Sequence, residues 1–329
     1  MAIFICSKCE HAREVGIDYV GKSVKCPKCK NAVVIHDTIT FARALIKRNM
    51  SQTLELKELR IGLYTDTLSD EQEEPSLLDG IDVQNTNILT QENNYLPIVE
   101  WFDKKKIKAQ IDPSAVDTTG FFDEVALLLG KSFNQLSHVT KQIKYIQNKG
   151  YTNVKIDLSN KDGHEAKLIK DFCNTLYDYS FVAKYHFQKK ENFIRLSLQT
   201  APKIKAFFNG IWMEWFALVE ILQLFKNNNV SAACARSIKV SFAGELHNEL
   251  DLFFLINKKT PVYIECKSGE FRHDIEKYLS LKKRLKLEKE QFVVCIFGLT
   301  SKQAQGMTTM YELTFVNETT LLDHIKTII

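Results

Sequence analysis

The sequence has 329 residues, which is long enough for two or three domains of about 100 to 150 residues. Apolar residues make up 45% and charged residues 26%, a balance that is typical of folded globular proteins and excludes a disordered chain. The formal net charge of +4 does not by itself indicate a polyanionic partner. The first residues lack the pattern of a secretory signal, and no stretch approaches the roughly 20 apolar residues of a membrane span. We therefore expect a cytoplasmic protein without a membrane partner.

The chain begins with two C-x2-C pairs that are separated by sixteen residues, and these pairs contain Cys6, Cys9, Cys26 and Cys29. Two thiolate pairs at this spacing complete a tetrahedral shell that suits Zn²⁺. The pattern resembles a zinc ribbon over residues 1–36. A shell of four thiolates has no open position, so we expect a structural metal. The ribbon either contacts nucleic acid or protein, or is only a small domain held together by its metal.

Residues 37–102 are predicted to be a helical and acidic linker region. A helix start is predicted at Asp37 and Thr38. The segment from Asp66 to Asn94 is acidic and polar, and it is interpreted as a linker or long loop. The alternative is a lid that mimics nucleic acid over a basic cleft.

Residues 103–200 are predicted to form a middle α/β domain. The apolar spacing predicts helices over 121–129, 139–146 and 166–176, a strand over 154–158 and a hairpin over 181–198. Asp157, Asp162 and His164 lie near a strand end, and we interpret them as loop and cap residues. No glycine-rich phosphate loop is present, so no sequence motif supports a sensor or partner-binding role for this domain.

The informative segment is a predicted hairpin that contains Asp251, Glu265 and Lys267. Side chains alternate along a strand, so Glu265 and Lys267 point to one face. A three-residue loop over 257–259 pairs Ile256 with Thr260 and places Asp251 opposite Glu265. A two-residue loop would shift the register and separate the carboxylates.

This set of side chains suits phosphodiester hydrolysis. Asp251, Glu265 and the backbone carbonyl of Cys266 are oxygen ligands of the kind that Mg²⁺ or Mn²⁺ takes. The cation activates water and neutralises developing charge, and Lys267 orients the water or stabilises the phosphate. The alternative is a surface ion pair between Glu265 and Lys267, with Asp251 as an edge-strand charge.

A helix precedes this hairpin and begins with Gly210, Trp212 and Glu214 in a G-x-W-x-E pattern. Together with the hairpin, this pattern resembles the PD-(D/E)xK nucleases, and in particular the nuclease domain of CRISPR ancillary nucleases, over residues 205–290. Ile211 stands where that group often has a second glycine. The resemblance implies a restriction-endonuclease-like mixed sheet flanked by helices over 201–329, Glu214 as a catalytic acid, and a role in microbial defence. Glu220 competes with Glu214 for that position.

The remaining C-terminal elements are predicted as a helix over 271–286, strands over 292–297 and 311–316, and a helix over 319–328. The order from residue 208 is then α-β-β-α-β-β-α. The helix over 271–286 carries six basic residues that suit a phosphate backbone, although solvated surface charge is the alternative. These residues are Arg272, Lys277, Lys282, Lys283, Arg284 and Lys286. The other four cysteines are expected to be buried thiols.

The sequence as a whole predicts a multidomain α/β (α+β) protein that is a metal-dependent DNA or RNA endonuclease. An activating nucleotide or partner protein would act through the middle domain, and a homodimer would suit cutting of both duplex strands. The alternative is a non-catalytic nucleic-acid-binding protein or adaptor that uses the zinc ribbon and the basic helix.

Overall fold

The computed structural model describes residues 2–6, 8–9, 11–37, 92–111, 120–242 and 248–329. The chain divides into two compact units, residues 1–74 and 75–329. Among the described helices, none is long and apolar enough to cross a bilayer. Most of the predicted acidic linker lies outside the described residues, as does Thr38 of the predicted helix start. Asp37 itself is the last residue of a strand, and the helix predicted to follow it lies outside the described residues.

The N-terminal unit is built from short antiparallel strands. They are β1 (Ala2–Ile5), β2 (Ala12–Val15), β3 (Ser23–Lys25), β4 (Ala32–Val34) and β5 (His36–Asp37). β1 lies between β2 and β5, whereas β3 and β4 form a separate hairpin. Its small core contains Phe4 and Ile35 together with two of the cysteines, Cys6 and Cys26. With so few apolar residues, a bound metal would supply much of the stability of such a unit.

The second unit is organised around a six-stranded mixed sheet with the order β14-β13-β12-β11-β10-β6. Its strands are β6 (Lys108–Gln110), β10 (Ala232–Ser241), β11 (Asn248–Ile256), β12 (Thr260–Ser268), β13 (Phe292–Phe297) and β14 (Thr314–Val316). β12, β13 and β14 are parallel, and the other neighbours are antiparallel. β13 is buried along its whole length, as its unbroken apolar sequence requires for a strand covered on both faces.

The described residues of the second unit form nine α-helices, and helices pack on both faces of this sheet. They are α1 (Glu92–Lys104), α2 (Phe121–Lys131), α3 (Phe133–Asn148), α4 (Gly163–Asp178), α5 (Pro202–Ala206), α6 (Trp212–Asn227), α7 (Ile275–Leu285), α8 (Ser301–Met310) and α9 (Leu321–Lys326). One core joins the sheet face of Ile264 to α2, α3, α4, α6 and α9. The other core joins the sheet face of Tyr263 to α1, α7 and α8. The predicted α/β class, with a mixed sheet between helices, is confirmed.

The middle region carries a second sheet of three antiparallel strands with the order β7-β9-β8. The strands are β7 (Asn153–Asp157), β8 (Val182–Gln188) and β9 (Phe193–Leu198). The predicted helices, strand and hairpin of this region are therefore confirmed. Asp157 accepts a hydrogen bond from the Ser159 N–H, and Asp162 caps α4 by accepting from the Glu165 N–H, as expected for loop and cap residues.

The predicted order of the C-terminal elements is wrong at two places. β10 was not predicted, and α8 lies between β13 and β14 where no helix was expected. The observed order from α6 onward is α-β-β-β-α-β-α-β-α. β10 begins with Ala232 and Ala233, and alanine is depleted in strands, so its sequence gives a weak strand signal.

The boundary predicted near residue 200 remains a prediction, but one apolar core extends across it. Phe122 of α2 packs against Phe207 at 5.4 Å and against Trp215 of α6 at 6.2 Å, measured between ring centroids. Gly130 of α2 lies so close to α6 that an added Cβ would be 2.1 Å from the ring of Phe216. The middle region and the region of the predicted nuclease domain are thus tightly packed.

Candidate metal centre and active site

The four N-terminal cysteines form one cluster. Cys6 and Cys26 each directly follow a strand, and each donates its backbone N–H across a tight turn, to the carbonyls of His11 and Asn31 respectively. These two similar turns bring the four Sγ atoms within 4.8 Å of one another. Tetrahedral Zn²⁺ with Zn–S distances of about 2.3 Å needs sulfur atoms about 3.8 Å apart, so this cluster can bind zinc.

The environment of the cluster favours the thiolate form of some of its members. Burial raises the pKa of Cys6, but N–H groups of Lys8 and Cys9 and the thiol of Cys29 outweigh it and lower the pKa to about 6. The pKa of Cys26 is also lowered, because backbone N–H groups of Cys29 and Lys28 outweigh burial. Thiolates are the form that binds zinc, so the local hydrogen bonds prepare this site for a metal.

The predicted hairpin has the predicted register. Ile256 pairs with Thr260, and Leu252 pairs with Ile264. The regular ladder stops there, and the next position on the two strands would place Asp251 opposite Glu265. This confirms the three-residue loop, in which Asn257 and Lys258 take positive φ angles of 50° and 56°.

Asp251 bridges the two strands beyond the end of their ladder. Its Oδ2 accepts a hydrogen bond from the backbone N–H of Cys266 at 2.8 Å. On the other side of β11, the pairs Arg236–Leu252 and Ile238–Leu250 flank Ser237, which has a φ of 51°. Such irregularities twist a strand and are common beside active sites. Asp251 is therefore held at a point where both of its neighbouring strands depart from regular pairing.

Glu265 is buried and has partners at both carboxylate oxygens. Tyr263 donates its hydroxyl proton to Oε2, and the Nζ of Lys267 lies 2.9 Å from Oε1. The Glu265 side chain is only 6% exposed, whereas that of Lys267 is 36% exposed. Glu265 is thus fixed from within the protein, and Lys267 extends toward solvent on the same face.

The charges of this cluster affect one another. Burial raises the pKa of Asp251 well above its usual value, and the carboxylates of Glu265 and Glu214 raise it further. Burial lowers the pKa of Lys267, but Glu265 and Asp251 outweigh this effect and the pKa is raised. The cluster is therefore rich in negative charge that only Lys267 offsets among its own members.

The atoms at the cluster suit a hard divalent cation. Within one strand residue the N–H and C=O groups face the same side. Since the Cys266 N–H faces Asp251, the carbonyl of Cys266 faces the side of the Asp251 carboxylate too. Mg²⁺ takes one or two carboxylates and keeps several waters, so this donor set fits it. Among the described residues, only the N-terminal thiols form a closely spaced group of three or more metal-ligating side chains.

Glu214 occupies a different setting from the other predicted catalytic residues. It lies in the first turn of α6, and its Oε2 forms an ion pair of 2.9 Å with Arg236 of β10. The Arg236 guanidinium also lies 4.1 Å from the ring centroid of Trp215. Burial raises the pKa of Glu214, Arg236 lowers it, and Glu249 and Glu265 raise it, with a net increase. The charge of Glu265 thus affects the Glu214 carboxylate, although the direct partner of that carboxylate is the basic Arg236.

Glu220, the alternative to Glu214, and the other residues near the hairpin have ordinary structural environments. Glu220 forms an ion pair with Lys131 at 3.0 Å, which agrees with a structural interpretation. Asp274 accepts a hydrogen bond from Tyr278 at 3.4 Å. Cys173, Cys234, Cys266 and Cys295 are buried and unpaired, as expected, and burial raises the pKa of Cys234 to about 12.

The predicted basic helix is α7 preceded by a short 3₁₀ turn, Arg272–Asp274. Its basic residues do not form one uniform solvent face. Arg284 stacks on Phe242 at 3.7 Å, and Lys282 is partly buried and lies 3.9 Å from Glu312. Lys277, Lys283 and Lys286 are exposed. Only part of the predicted phosphate-binding face is therefore available.

Three residues that shape the cluster were not predicted from the sequence, and these are Tyr263, Tyr278 and Arg236. Tyr263 lies two residues before Glu265, so strand alternation alone could have found it. The hydroxyl of Tyr278 is close to Glu265. Burial raises the pKa of Tyr278, and the charge of Glu265 raises it further. Arg236 had no such signal, because strand β10 itself was not predicted.

Comparisons with known proteins give similar solved structures only. No protein-family model and no curated protein matches the sequence. The chain is similar to the crystal structure of protein VC1899 from Vibrio cholerae, with 14% identity and a TM-score of 0.48. It is also similar to Can2 from Sulfobacillus thermosulfidooxidans in complex with cyclic tetra-adenylate, with 16% identity and a TM-score of 0.49. Each comparison covers 70% of this chain, and 60% and 59% of the other chains respectively.

Proposed function

We propose that this protein is a nuclease whose C-terminal region hydrolyses phosphodiester bonds of DNA or RNA with Mg²⁺ or Mn²⁺. The proposal rests on the hydrogen bond from the Cys266 N–H to Asp251, which joins β11 and β12 beyond the end of their ladder. Through it, the carboxylates of Asp251 and Glu265 and the ammonium of Lys267 lie near one end of the two central strands of the sheet. Sites on strands hold their groups more precisely than sites on loops, as phosphodiester chemistry requires.

Each residue has a distinct proposed task. Asp251, Glu265 and the Cys266 carbonyl would hold the cation, which when bound activates water and neutralises phosphate charge. Tyr263 fixes Glu265 in orientation by its hydroxyl hydrogen bond. Lys267 keeps its ammonium at the solvent side of the cluster, where it donates hydrogen bonds to a phosphate oxygen or to the attacking water.

Glu214 enters the proposal as a further acid, as the resemblance implies. Its support is electrostatic, since Glu265 raises the pKa of Glu214 in addition to burial. Arg236 orients the Glu214 carboxylate through the 2.9 Å ion pair. In this role Glu214 would act on bound water or on the orientation of the metal ligands, with Arg236 as its positioning residue.

The middle region is the proposed place for control of the nuclease by an activating nucleotide or partner protein. Phe122 of α2 contacts both Phe207 and Trp215, and Trp215 follows Glu214 on α6. A movement of α2 would therefore reach the candidate site through packed side chains. A defence role in a microbial cell and a homodimer that cuts both strands of a duplex belong to the same proposal.

The test is cleavage of labelled single-stranded DNA, duplex DNA and RNA by the zinc-loaded protein with Mg²⁺, Mn²⁺ or Ca²⁺. We expect cutting of at least one substrate with Mg²⁺ or Mn²⁺ and none with metal-free buffer. The reactions are repeated with cyclic oligoadenylates, because the control proposal predicts a higher rate with an activator.

Two other results would contradict the nuclease proposal. If the folded protein binds nucleic acid but cuts no substrate with any of these cations and activators, the nuclease proposal is wrong. The protein is then a binding module that uses its ribbon and basic residues. If it binds no nucleic acid at any salt concentration, the adaptor alternative replaces both.

A further inference from the structure

A groove in the second unit lies at the ends of β12 and β13, next to the candidate active site. Ser268 and Gly269 line it, and they directly follow Lys267 on β12. Phe297, which also lines it, pairs with Ser268 across the parallel ladder. Consecutive Cα atoms are about 3.8 Å apart, so the lining of this groove begins one residue beyond Lys267, which does not itself line it. Its volume is about 620 Å³.

The opposite wall of the groove comes from the middle region. α3 contributes Lys141, Lys144 and Tyr145. Lys144 reaches across and donates to the carbonyl of Asn209 at 2.9 Å. Tyr145 is 61% exposed, and the Nζ of Lys149 lies 5.8 Å from the centroid of its ring.

The charge of the lining is of one sign. Among the described residues that line the groove, three are basic and none is acidic. Arg272 shares its charge with Glu270 at 3.1 Å, so the lysines of α3 supply most of the free charge. Gly269 has a φ of 93° and no neighbour near its missing Cβ, which leaves its backbone open to a ligand. A basic groove with an exposed aromatic ring and open backbone suits a phosphate chain that carries planar bases.

We propose that this groove binds one unpaired strand of nucleic acid and leads it to the candidate active site. This inference rests on the proposed nuclease function and adds its substrate class. Lys141 and Lys144 contact phosphates, and Tyr145 stacks on a base. In a duplex the base faces are covered by their neighbours, whereas a single strand leaves them free for Tyr145. The groove therefore selects single-stranded over double-stranded substrate.

The test measures binding of a labelled single-stranded oligonucleotide to full-length protein that carries Glu265→Gln, so that the ligand stays uncut. Tyr145→Ala is compared with Tyr177→Ala, which removes an exposed tyrosine from α4 outside the groove. Lys141→Glu is compared with Lys167→Glu, an exposed lysine of α4. We expect the groove variants to weaken binding about tenfold and the controls less than twofold. Lys141→Ala should also reduce the slope of log K against log salt by about 0.7.

The groove variants should change the affinity for a duplex of equal length less than twofold. Equal weakening by groove and control variants would overturn the inference, as would equal effects on duplex and single strand. Cleavage by the protein with native Glu265 separates the two proposals. If Tyr145→Ala does not change cutting, the groove inference is wrong and the nuclease proposal stands. If the groove variants selectively lose binding but the protein with native Glu265 cuts nothing, the groove inference is supported and the nuclease proposal is wrong.

Discussion

The position of Asp251 in the fold makes its charged form energetically unfavourable. Burial and the neighbouring carboxylates of Glu265 and Glu214 raise its pKa well above 3.8, so its charged form is disfavoured in the folded chain. Active sites often hold such groups because a bound ligand offsets the repulsion. In the proposed nuclease site, a divalent cation would have this effect.

We predict that Asp251→Asn stabilises the protein in the absence of divalent cations. The folded pKa of Asp251 is raised, so its destabilising effect is absent below the unfolded value of 3.8 and grows as pH rises through the folded pKa. Removing the charge should raise the free energy of unfolding at pH 7.5 by at least about 1 kcal/mol. Thermal unfolding measures this change in stability. The control is Asp171→Asn, which removes the charge of an exposed acid. A variant that is less stable than wild type at pH 7.5, without metal, contradicts the prediction.

The same raised pKa predicts that cation binding depends on pH. A carboxylate ligand must be deprotonated, so Mg²⁺ or Mn²⁺ binding releases a proton from Asp251. The affinity should rise with pH up to the raised pKa of Asp251 and level off above it. Calorimetry in buffers of different ionisation enthalpy detects the released proton. An affinity that is constant between about pH 5 and 8, with no proton release, contradicts the raised pKa of Asp251 in the metal-free protein.

At the scale of elements, the sequence predicted best where patterns were local. The β11–β12 hairpin follows from two apolar runs and a short polar loop, and its register followed from the loop length. The cysteine pairs likewise predicted their cluster from spacing alone. β10 was missed because its start is rich in alanine, which packs well in a covered strand but gives little strand propensity. α8 was missed because Gly306, Thr308 and Thr309 weaken its helix signal, while its capping box at Thr300 was overlooked.

The close approach of α2 and α6 gives a prediction about packing. Gly130→Ala should destabilise the protein by about 1–3 kcal/mol, because the new Cβ would lie 2.1 Å from the buried ring of Phe216. Gly306→Ala in α8 is the matched control, since nothing lies within 4 Å of its missing Cβ. It should stabilise by about 0.5–1 kcal/mol. Chemical denaturation measures both, and equal effects of the two substitutions would contradict the packing.

At the scale of the whole molecule, the chain combines two units with different sources of stability. The first has a small core and a thiol cluster, whereas the second has two extensive cores on either side of its sheet. Hydrophobic periodicity predicted the elements of the middle region but could not predict their assembly. Phe122, Phe207 and Trp215 are apolar in any arrangement, and only tertiary packing shows that they join one core across residue 200.

The first unit should depend on zinc and the second should not. We expect Cys26→Ser to abolish stoichiometric zinc binding and to make residues 1–37 sensitive to protease, since small zinc-binding units fold only with their metal. The thermal transition of the second unit should shift by less than 2 °C, about the effect of a neutral surface change. Cys173→Ser, at a buried thiol of α4, is the control that keeps zinc. Full zinc content in Cys26→Ser would contradict the cluster.

The central claim is that Asp251, Glu265 and Lys267 form the hydrolytic site of a nuclease. Its most direct test is the rate of Mg²⁺-dependent cleavage in Glu265→Gln compared with Glu276→Gln, which changes an exposed acid at the start of α7. Glutamine keeps the size of the buried side chain but removes the charge that binds the cation. We predict a loss of at least about a hundredfold in Glu265→Gln and less than twofold in Glu276→Gln, with both proteins folded. Cleavage by Glu265→Gln at the wild-type rate would show that the site lies elsewhere.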